Sequence, residues 1–136
     1  MVDEPIAAAQ GVIAHLMIPD GRAAEAIDFY KAAFGAHEKT RNEGPGGRLM
    51  HAHLTVNGGP LLLHDDFPEM HGDSPADPPS GTTLHLQVDD ADAAWARALE
   101  AGCTVRFPLA DQFWGDRYGQ LDDPFGHRWS IGMAKG

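Results

Sequence analysis

The sequence is poor in cysteine, in positive charge and in long apolar runs. Cys103 is the one cysteine among 136 residues, which excludes an internal disulfide and is typical of a reducing cytoplasm. Lys and Arg number 10 against 20 Asp and Glu, whereas nucleic-acid binding requires a basic surface. No apolar stretch approaches membrane-spanning length. We therefore expect a cytoplasmic protein that binds neither nucleic acid nor a membrane.

Two parts of the chain show the same succession of predicted elements. A strand with apolar residues at alternate positions opens each part, and a helix with apolar residues three or four apart follows it. Three further strands complete each part. This repeat predicts an α+β fold in which one domain, residues 1–136, holds two β-α-β-β-β modules. The modules span residues 11–66 and 82–134.

The ends of the predicted helices and the segment between the modules follow from cap and turn residues. Asp20 is expected to cap the first helix, which runs to Phe34, while Asp89 is expected to cap the second, which Gly102 ends. Residues 67–81 contain four prolines and two glycines, a composition typical of a linker. At this length the linker could also cover a binding site.

Alternation along the predicted strands separates an apolar face from a polar one. The clearest hairpin joins strands over 112–121 and 127–133 through a turn at Asp123-Pro124-Phe125-Gly126, and apolar residues of its second strand alternate with Arg128 and Ser130. An apolar face opposed to a polar one indicates a sheet with helices behind it and a cavity in front. The same alternation places five of the eight histidines in that cavity: His15, His51, His53, His64 and His85.

Short motifs in both parts of the repeat are similar to those of a known superfamily. AIDFY at residues 26–30 precedes FGA at 34–36, and DPFGH occupies 123–127. With these motifs on a repeat, the chain resembles the vicinal oxygen chelate superfamily of glyoxalase I, fosfomycin-resistance proteins, bleomycin-binding proteins and extradiol dioxygenases. FWG at 113–115 and YG at 118–119 look like its PhnB-like branch. The resemblance implies a cupped, partly open mixed sheet barrel with helices outside, a small-molecule ligand and a homodimer.

The resemblance also implies four metal-ligand positions, and this chain fills most of them with residues that are poor ligands. The matching residues are Ile13, His64, Thr83 and Ser130, of which only His64 has a side chain suited to a divalent transition metal. We therefore expect no resident cofactor, while a divalent metal remains possible at a relocated site. The candidates for that relocated site are His15, His64 and His85.

Further residues complete the expected ligand site. Trp114 and Tyr118 could stack on a planar ligand or pack in the core of the hairpin. Arg128 could hold a carboxylate or phosphate of the ligand, or pair with Asp116 or Asp122. No catalytic residue follows from the sequence. The ligand-binding candidates are His15, His51, His53, His64, His85, Gln87, Trp114, Tyr118, Arg128 and Ser130.

Three functions are compatible with this site, because one scaffold hosts several chemistries. The first is a small-molecule-binding protein of the PhnB-like type, with or without turnover, in which the usual metal site is lost. The second is a metal-dependent lyase, isomerase or dioxygenase that uses the histidine cluster. The third is a drug-sequestering protein of the bleomycin-binding kind, which the net charge of −10 favours for a cationic drug.

Overall fold

Two four-stranded mixed sheets, one in each of two units of the chain, form the framework of the fold. The computed structural model describes residues 10–74 and 77–135. The first unit contains the described residues up to Lys31 and those from Ala36 to Asp77. The second contains Ala32–Gly35 and the described residues from Pro78 onward. The predicted α+β class is confirmed, whereas the exact module boundaries stay predictions.

The first sheet contains strands β1 to β4, and helix α1 follows β1. The strand order is β1-β4-β3-β2, in which β1 runs parallel to β4 and the other pairs are antiparallel. The sheet is open, with β1 and β2 at its edges. The elements are β1 (His15–Ile18), α1 (Ala23–Phe34), β2 (His37–Glu43), β3 (Leu49–Val56) and β4 (Gly59–Asp65).

Apolar residues at alternate strand positions and at helical spacing supply the core of the first unit. Ile18, Leu54 and Leu63 from three neighbouring strands are fully buried. Ile27 and Tyr30 in α1, three residues apart and therefore on one helix face, are fully buried as well. Each such side chain contributes about 1.5–3 kcal/mol by leaving water. This burial orients the opposite, polar side of the sheet away from the core.

The beginning of α1 differs from the prediction. Asp20 lies in a 3-10 turn with a φ of 63° and makes no capping hydrogen bond there, so its predicted role as N-cap is wrong. Asp65 in β4 takes the role instead, because Ile18 at the end of β1 pairs in register with it. One carboxylate oxygen of Asp65 accepts the Ala23 N–H at 2.8 Å and the other accepts the Leu49 N–H at 2.7 Å.

The second sheet repeats this arrangement with strands β5 to β8 and helix α2. Its order is β5-β8-β7-β6, in which β5 runs parallel to β8 and the remaining pairs are antiparallel. It is also open, with β5 and β6 at its edges. The elements are β5 (Thr83–Gln87), α2 (Ala91–Ala101), β6 (Thr104–Asp111), β7 (Asp116–Asp122) and β8 (Arg128–Ala134).

Helix α2 begins one residue later than the capping prediction implied. Asp90, in an extended conformation, accepts the Ala93 N–H at 3.1 Å and is therefore the N-cap, so the prediction of Asp89 is wrong. Gly102 ends the helix with a φ of 126°, a conformation that suits glycine. In the part of the chain that the structure describes, no helix has the length and apolar character needed to cross a membrane.

Strand bounds and the proline-rich segment also depart from the sequence pattern in detail. The first strand begins at His15, four residues after the predicted start of the first module at residue 11, and the strand expected over 112–121 begins at Asp116. The second difference arises because Gln112 and Asp116 close a turn, in which the Gln112 N–H donates to the Asp116 carbonyl at 2.7 Å. Pro68–His71 forms a short 3-10 helix within residues 67–81.

Candidate functional site

The polar side of the first sheet carries four of the five histidines that alternation placed together. His15 pairs in register with Leu62, Leu62 pairs with His53, and Met17 pairs with His64. Because paired residues of neighbouring strands point to the same side of a sheet, and alternate residues share that side, the four imidazoles share one face. We call this surface the histidine face: His15, His51, His53 and His64.

The imidazoles of the histidine face lie close together. The ring centroids of His15 and His64 are 4.9 Å apart, and those of His15 and His51 are 5.9 Å apart, both in edge-to-face arrangements. Burial, together with the positive charge that His64 and His51 carry when protonated, lowers the pKa of His15. Burial and then His53 and His64 lower the pKa of His51 in the same way. Both rings are therefore neutral at pH 7.

Some nitrogens of the histidine face make no hydrogen bond to the residues that the structure describes. His64 Nδ1 lies 2.6 Å from the Asp65 carbonyl oxygen, which can only accept, so Nδ1 carries the proton and Nε2 keeps its lone pair. His51 Nε2 and His53 Nδ1 are buried without a hydrogen-bond partner, and His53 is only 3% exposed. Buried polar atoms normally have partners. These two nitrogens therefore mark a place where a partner is missing.

The polar side of the second sheet also carries predicted site residues. Thr83 pairs with Arg128, His85 with Ser130, and Gln87 with Gly132. On the other side of β8, Arg128 pairs with Asp122 in β7, Ser130 with Gln120 and Gly132 with Tyr118. We call this surface the mixed polar face, and its members are Thr83, His85, Gln87, Tyr118, Gln120, Asp122, Arg128 and Ser130. Gln120 was missed by the sequence reasoning, although its alternation with Tyr118 would have revealed it.

His85 has a fixed orientation on the mixed polar face. Its Nε2–H donates to Gln87 Oε1 at 2.7 Å, so Nδ1 is the unprotonated nitrogen and accepts the Ser130 hydroxyl at 2.7 Å. Gly132 leaves the space for this ring, because a Cβ there would lie 2.7 Å from His85 Cε1. The ring is nearly parallel to that of Tyr118, with 5.9 Å between centroids. Both nitrogens of His85 are therefore occupied.

The two aromatic candidates lie at the edge of this face and outside the core. Trp114 is 49% exposed, and its indole N–H donates to Asp116 at 3.0 Å. Tyr118 is half-buried, and its hydroxyl accepts the Gln120 amide N–H at 3.0 Å. The rings contact each other edge to face, with centroids 5.7 Å apart. This arrangement argues against a core position for these rings, and stacking on a planar ligand stays a prediction.

Arg128 does not form the ion pairs that the sequence offered as an alternative. Asp116 accepts the hydrogen bond from Trp114, and Asp122 pairs with Arg106 Nε at 3.0 Å. The Arg128 side chain forms no hydrogen bond or ion pair with any residue that the structure describes, and its Nε is buried. A buried guanidinium nitrogen without an acceptor is costly. After the two histidine nitrogens, Arg128 Nε is therefore a further buried polar atom without a hydrogen-bond partner.

The chain is thus built from two β-α-β-β-β units, each with a sheet that has one polar face. The family description "Glyoxalase/Bleomycin resistance protein/Dioxygenase superfamily" matches residues 12–131. The Mycobacterium bovis protein Mb0911c is 53% identical over 123 residues, which cover 88% of this chain and 80% of that protein. The chain therefore belongs to the glyoxalase/bleomycin resistance protein/dioxygenase superfamily.

Solved structures show the same fold. The protein PA1353 from Pseudomonas aeruginosa superposes with a TM-score of 0.75 at 24% identity, over 94% of this chain and 100% of that one. The PhnB protein from Bacillus cereus superposes with a TM-score of 0.70 at 20% identity, over 92% of this chain and 100% of that one. At this level of identity, the likeness concerns the fold alone.

The metal site of the superfamily does not fit the residues present. Ile13 and Thr83 at two of the matching positions offer no strong ligand, and the Ser130 hydroxyl is bound to His85 and only 1% exposed. Within residues 10–74 and 77–135, no group of three or more His, Cys, Asp and Glu is arranged to hold a metal ion. His64 alone provides a single ligand, whereas a zinc site uses three or four protein ligands.

Proposed function

We propose that the protein binds a small polar molecule, as a member of the PhnB-like type, through the polar faces of its sheets. One observation carries the proposal. Among the described residues, three buried side-chain nitrogen or oxygen atoms have no partner: His51 Nε2, His53 Nδ1 and Arg128 Nε. All three belong to residues that the sequence independently marks as ligand-binding.

Folding stability alone does not account for these atoms. A buried donor or acceptor without a partner costs about 1–3 kcal/mol, so burying a leucine at position 53 would cost less than burying the unpartnered nitrogen of His53. A ligand that supplies the missing hydrogen bonds recovers this cost on binding. Unpaired polar atoms on concave or polar sheet surfaces are therefore what a pre-formed binding site contains in its free state.

The same site is compatible with catalysis or with sequestration. His15 and His51 are neutral at pH 7 and can accept a proton, which is the property of a general base. A sequestering protein would use the same contacts without turnover, and the net charge of −10 supports a cationic drug as its ligand. A metal-dependent enzyme has less support, because both nitrogens of His85 are occupied by Ser130 and Gln87.

A homodimer is also proposed, with β6 at or near the interface. Val105 and Phe107 on this edge strand are 49% and 45% exposed, and Phe113 in the following turn is 97% exposed. Apolar side chains along an open strand edge are a common site of association between copies of a chain. The lone, buried Cys103 supports the proposed cytoplasmic location.

Ligand-induced stabilisation tests the binding proposal. A library of organic acids, amines, sugars and aromatic compounds would be screened by thermal shift against the wild type and His53→Leu. Because the substitution removes an unpartnered nitrogen, His53→Leu should unfold at the same temperature or higher, while losing the stabilisation that a ligand of the histidine face gives. His71→Gln is the matched control, since His71 is exposed and bonded to Asp66 at 2.7 Å.

The proposal predicts at least one compound that raises the thermal midpoint of the wild type and of His71→Gln, with the effect reduced in His53→Leu or Arg128→Gln. A library without any such compound would contradict it. Incubation of a binding compound with the protein, followed by mass analysis of the products, separates an enzyme from a sequestering protein.

A further inference from the structure

A small cavity lies beside Arg128 in the second unit. It has a volume of about 40 Å³ and is lined by residues 79–82, Arg106, Asp122, Gly126 and Arg128. A water molecule needs about 10–15 Å³ of such space, so the cavity accepts a group of a few heavy atoms and excludes a whole metabolite. Ser80 and Thr82, whose side chains carry hydroxyl groups, are among the lining residues.

The charges around this cavity leave one cation uncompensated. Arg106 and Asp122 form an ion pair at 3.0 Å and neutralise each other. Arg128 has no carboxylate partner in the part of the chain that the structure describes, and its Nε is buried without an acceptor. The three charged residues that line the cavity therefore sum to +1, although the whole chain carries −10. Distant surface charges act weakly at this site because salt screens them beyond about 8–10 Å.

We propose that Arg128 binds the carboxylate or phosphate group of an anionic small molecule. The inference rests on the proposed function and names the class of its ligand. A guanidinium presents a planar fork of N–H donors that matches both groups, and the Nε–H of Arg128, which has no acceptor, is one of these donors. Ser80 and Thr82 line the same cavity, and a rotation of their hydroxyl groups towards the anion would supply further donors.

The rest of the ligand extends from the cavity along the mixed polar face. Ser130 lies two residues from Arg128 on the same strand, hence about 6–7 Å away on the same side of the sheet. The next groups in that direction are the fixed ring of His85 and the parallel ring of Tyr118. A molecule with an acidic end and a planar body would bind Arg128 with the first and lie against the rings of His85 and Tyr118 with the second.

Titration with simple anions tests the assignment directly. The Nε–Hε signal of Arg128 would be followed by NMR during addition of inorganic phosphate, and separately of benzoate, at constant ionic strength with chloride as the reference. A saturable shift confined to Arg128 and its neighbours supports the proposal, and the tighter of the two anions identifies the acidic group. A signal that responds to both anions no more than to chloride overturns it.

Variants separate a bound anion from general charge effects. Arg128→Gln should weaken binding of the tighter anion about 10- to 100-fold, as expected for loss of hydrogen bonds to a charged group. Arg128→Lys should recover only part, because an ammonium lacks the planar fork. Arg117→Gln is the control of equal charge, since Arg117 is already bound to Asp92 and Asp111; it should bind as the wild type does.

A second variant tests the charge balance without touching the anion-binding arginine. Arg106→Gln frees Asp122, which pairs in register with Arg128 and would then occupy it. Anion binding should weaken in Arg106→Gln and return to the wild-type level in the double variant Arg106→Gln/Asp122→Asn. Unchanged binding in Arg106→Gln and in Arg128→Gln would overturn the proposal. If phosphate and benzoate bind no better than chloride while other compounds still stabilise the wild type, the anion assignment is overturned and the proposed function remains intact.

Discussion

Replacement of Asp123 by alanine probes the turn between β7 and β8, on which the mixed polar face depends. Asp123 is 6% exposed. One of its carboxylate oxygens accepts the backbone N–H groups of Phe125 at 2.8 Å and His127 at 3.0 Å, and the other accepts the indole N–H of Trp129 at 2.9 Å. This single side chain therefore sets the turn and the start of β8, which carries Arg128.

The expected loss of stability follows from these three hydrogen bonds. Phe125, His127 and Trp129 are all buried, so the alanine variant leaves three donors with little access to water. Each such donor costs about 1–3 kcal/mol, but relaxation and entry of water reduce the sum, and we expect about 3–5 kcal/mol in total for Asp123→Ala. Asp123→Asn keeps one acceptor oxygen and turns an amide donor towards Trp129, for which we expect about 1–3 kcal/mol.

Chemical denaturation followed by tryptophan fluorescence measures these losses, and the neighbouring residue provides the control. Asp122 has the same side chain, but it is a third exposed and pairs only with Arg106. Asp122→Ala should therefore cost at most about 1 kcal/mol. Equal losses in Asp122→Ala and Asp123→Ala, or a loss below about 1 kcal/mol in the latter, would refute the assignment of the turn to the Asp123 carboxylate.

Three further predictions concern pH, metal content and assembly. The folded-state pKa values of His15 and His51 lie below the ordinary 6.5, so below that pH the unfolded chain takes up protons more readily than the folded one. The contribution of the two neutral rings to the free energy of unfolding is therefore complete above pH 6.5 and falls as the pH drops towards the folded-state pKa values. Between pH 7 and pH 5, the thermal midpoint of the double variant His15→Gln/His51→Gln should then drop less than that of the wild type. Equal drops would contradict the crowding of these rings. Untagged protein should carry little transition metal after dialysis. A metal content near one equivalent per chain, which is lost in a folded variant without His15 and His85, would establish the metalloenzyme alternative instead. Sedimentation at micromolar concentration should give about twice the monomer mass and a monomer for Phe107→Glu, whereas a monomeric wild type would count against the dimer.

The features that the sequence predicted well depend on short-range patterns. Alternation along a strand repeats every two residues, so the side on which His51, His53 or Ser130 lies follows from counting along one strand. The glycine that ends α2 is likewise a local signal, because Gly102 adopts a φ that other residues avoid. Such features need no knowledge of which strands become neighbours.

The features that the sequence did not reveal depend on pairings between distant parts of the chain. Asp65 binds the beginning of α1 from 42 residues away, which requires β1 and β4 to be parallel neighbours. The unpaired state of Arg128 depends on Arg106, which lies at a register shift in β6 and reaches Asp122 from there. The choice of Asp90 over Asp89 as a cap depends on one extended backbone conformation that two adjacent aspartates do not distinguish.

Electron density around the three unpartnered nitrogens is the most direct test of ligand binding. Crystals of untagged protein would be examined as purified and after soaking with compounds that raise its thermal midpoint. Binding through the polar faces predicts a molecule other than water within hydrogen-bond distance of Arg128 Nε, His51 Nε2 or His53 Nδ1. Density in which all three atoms are bonded to protein groups or to water alone, in both kinds of crystal, would contradict it.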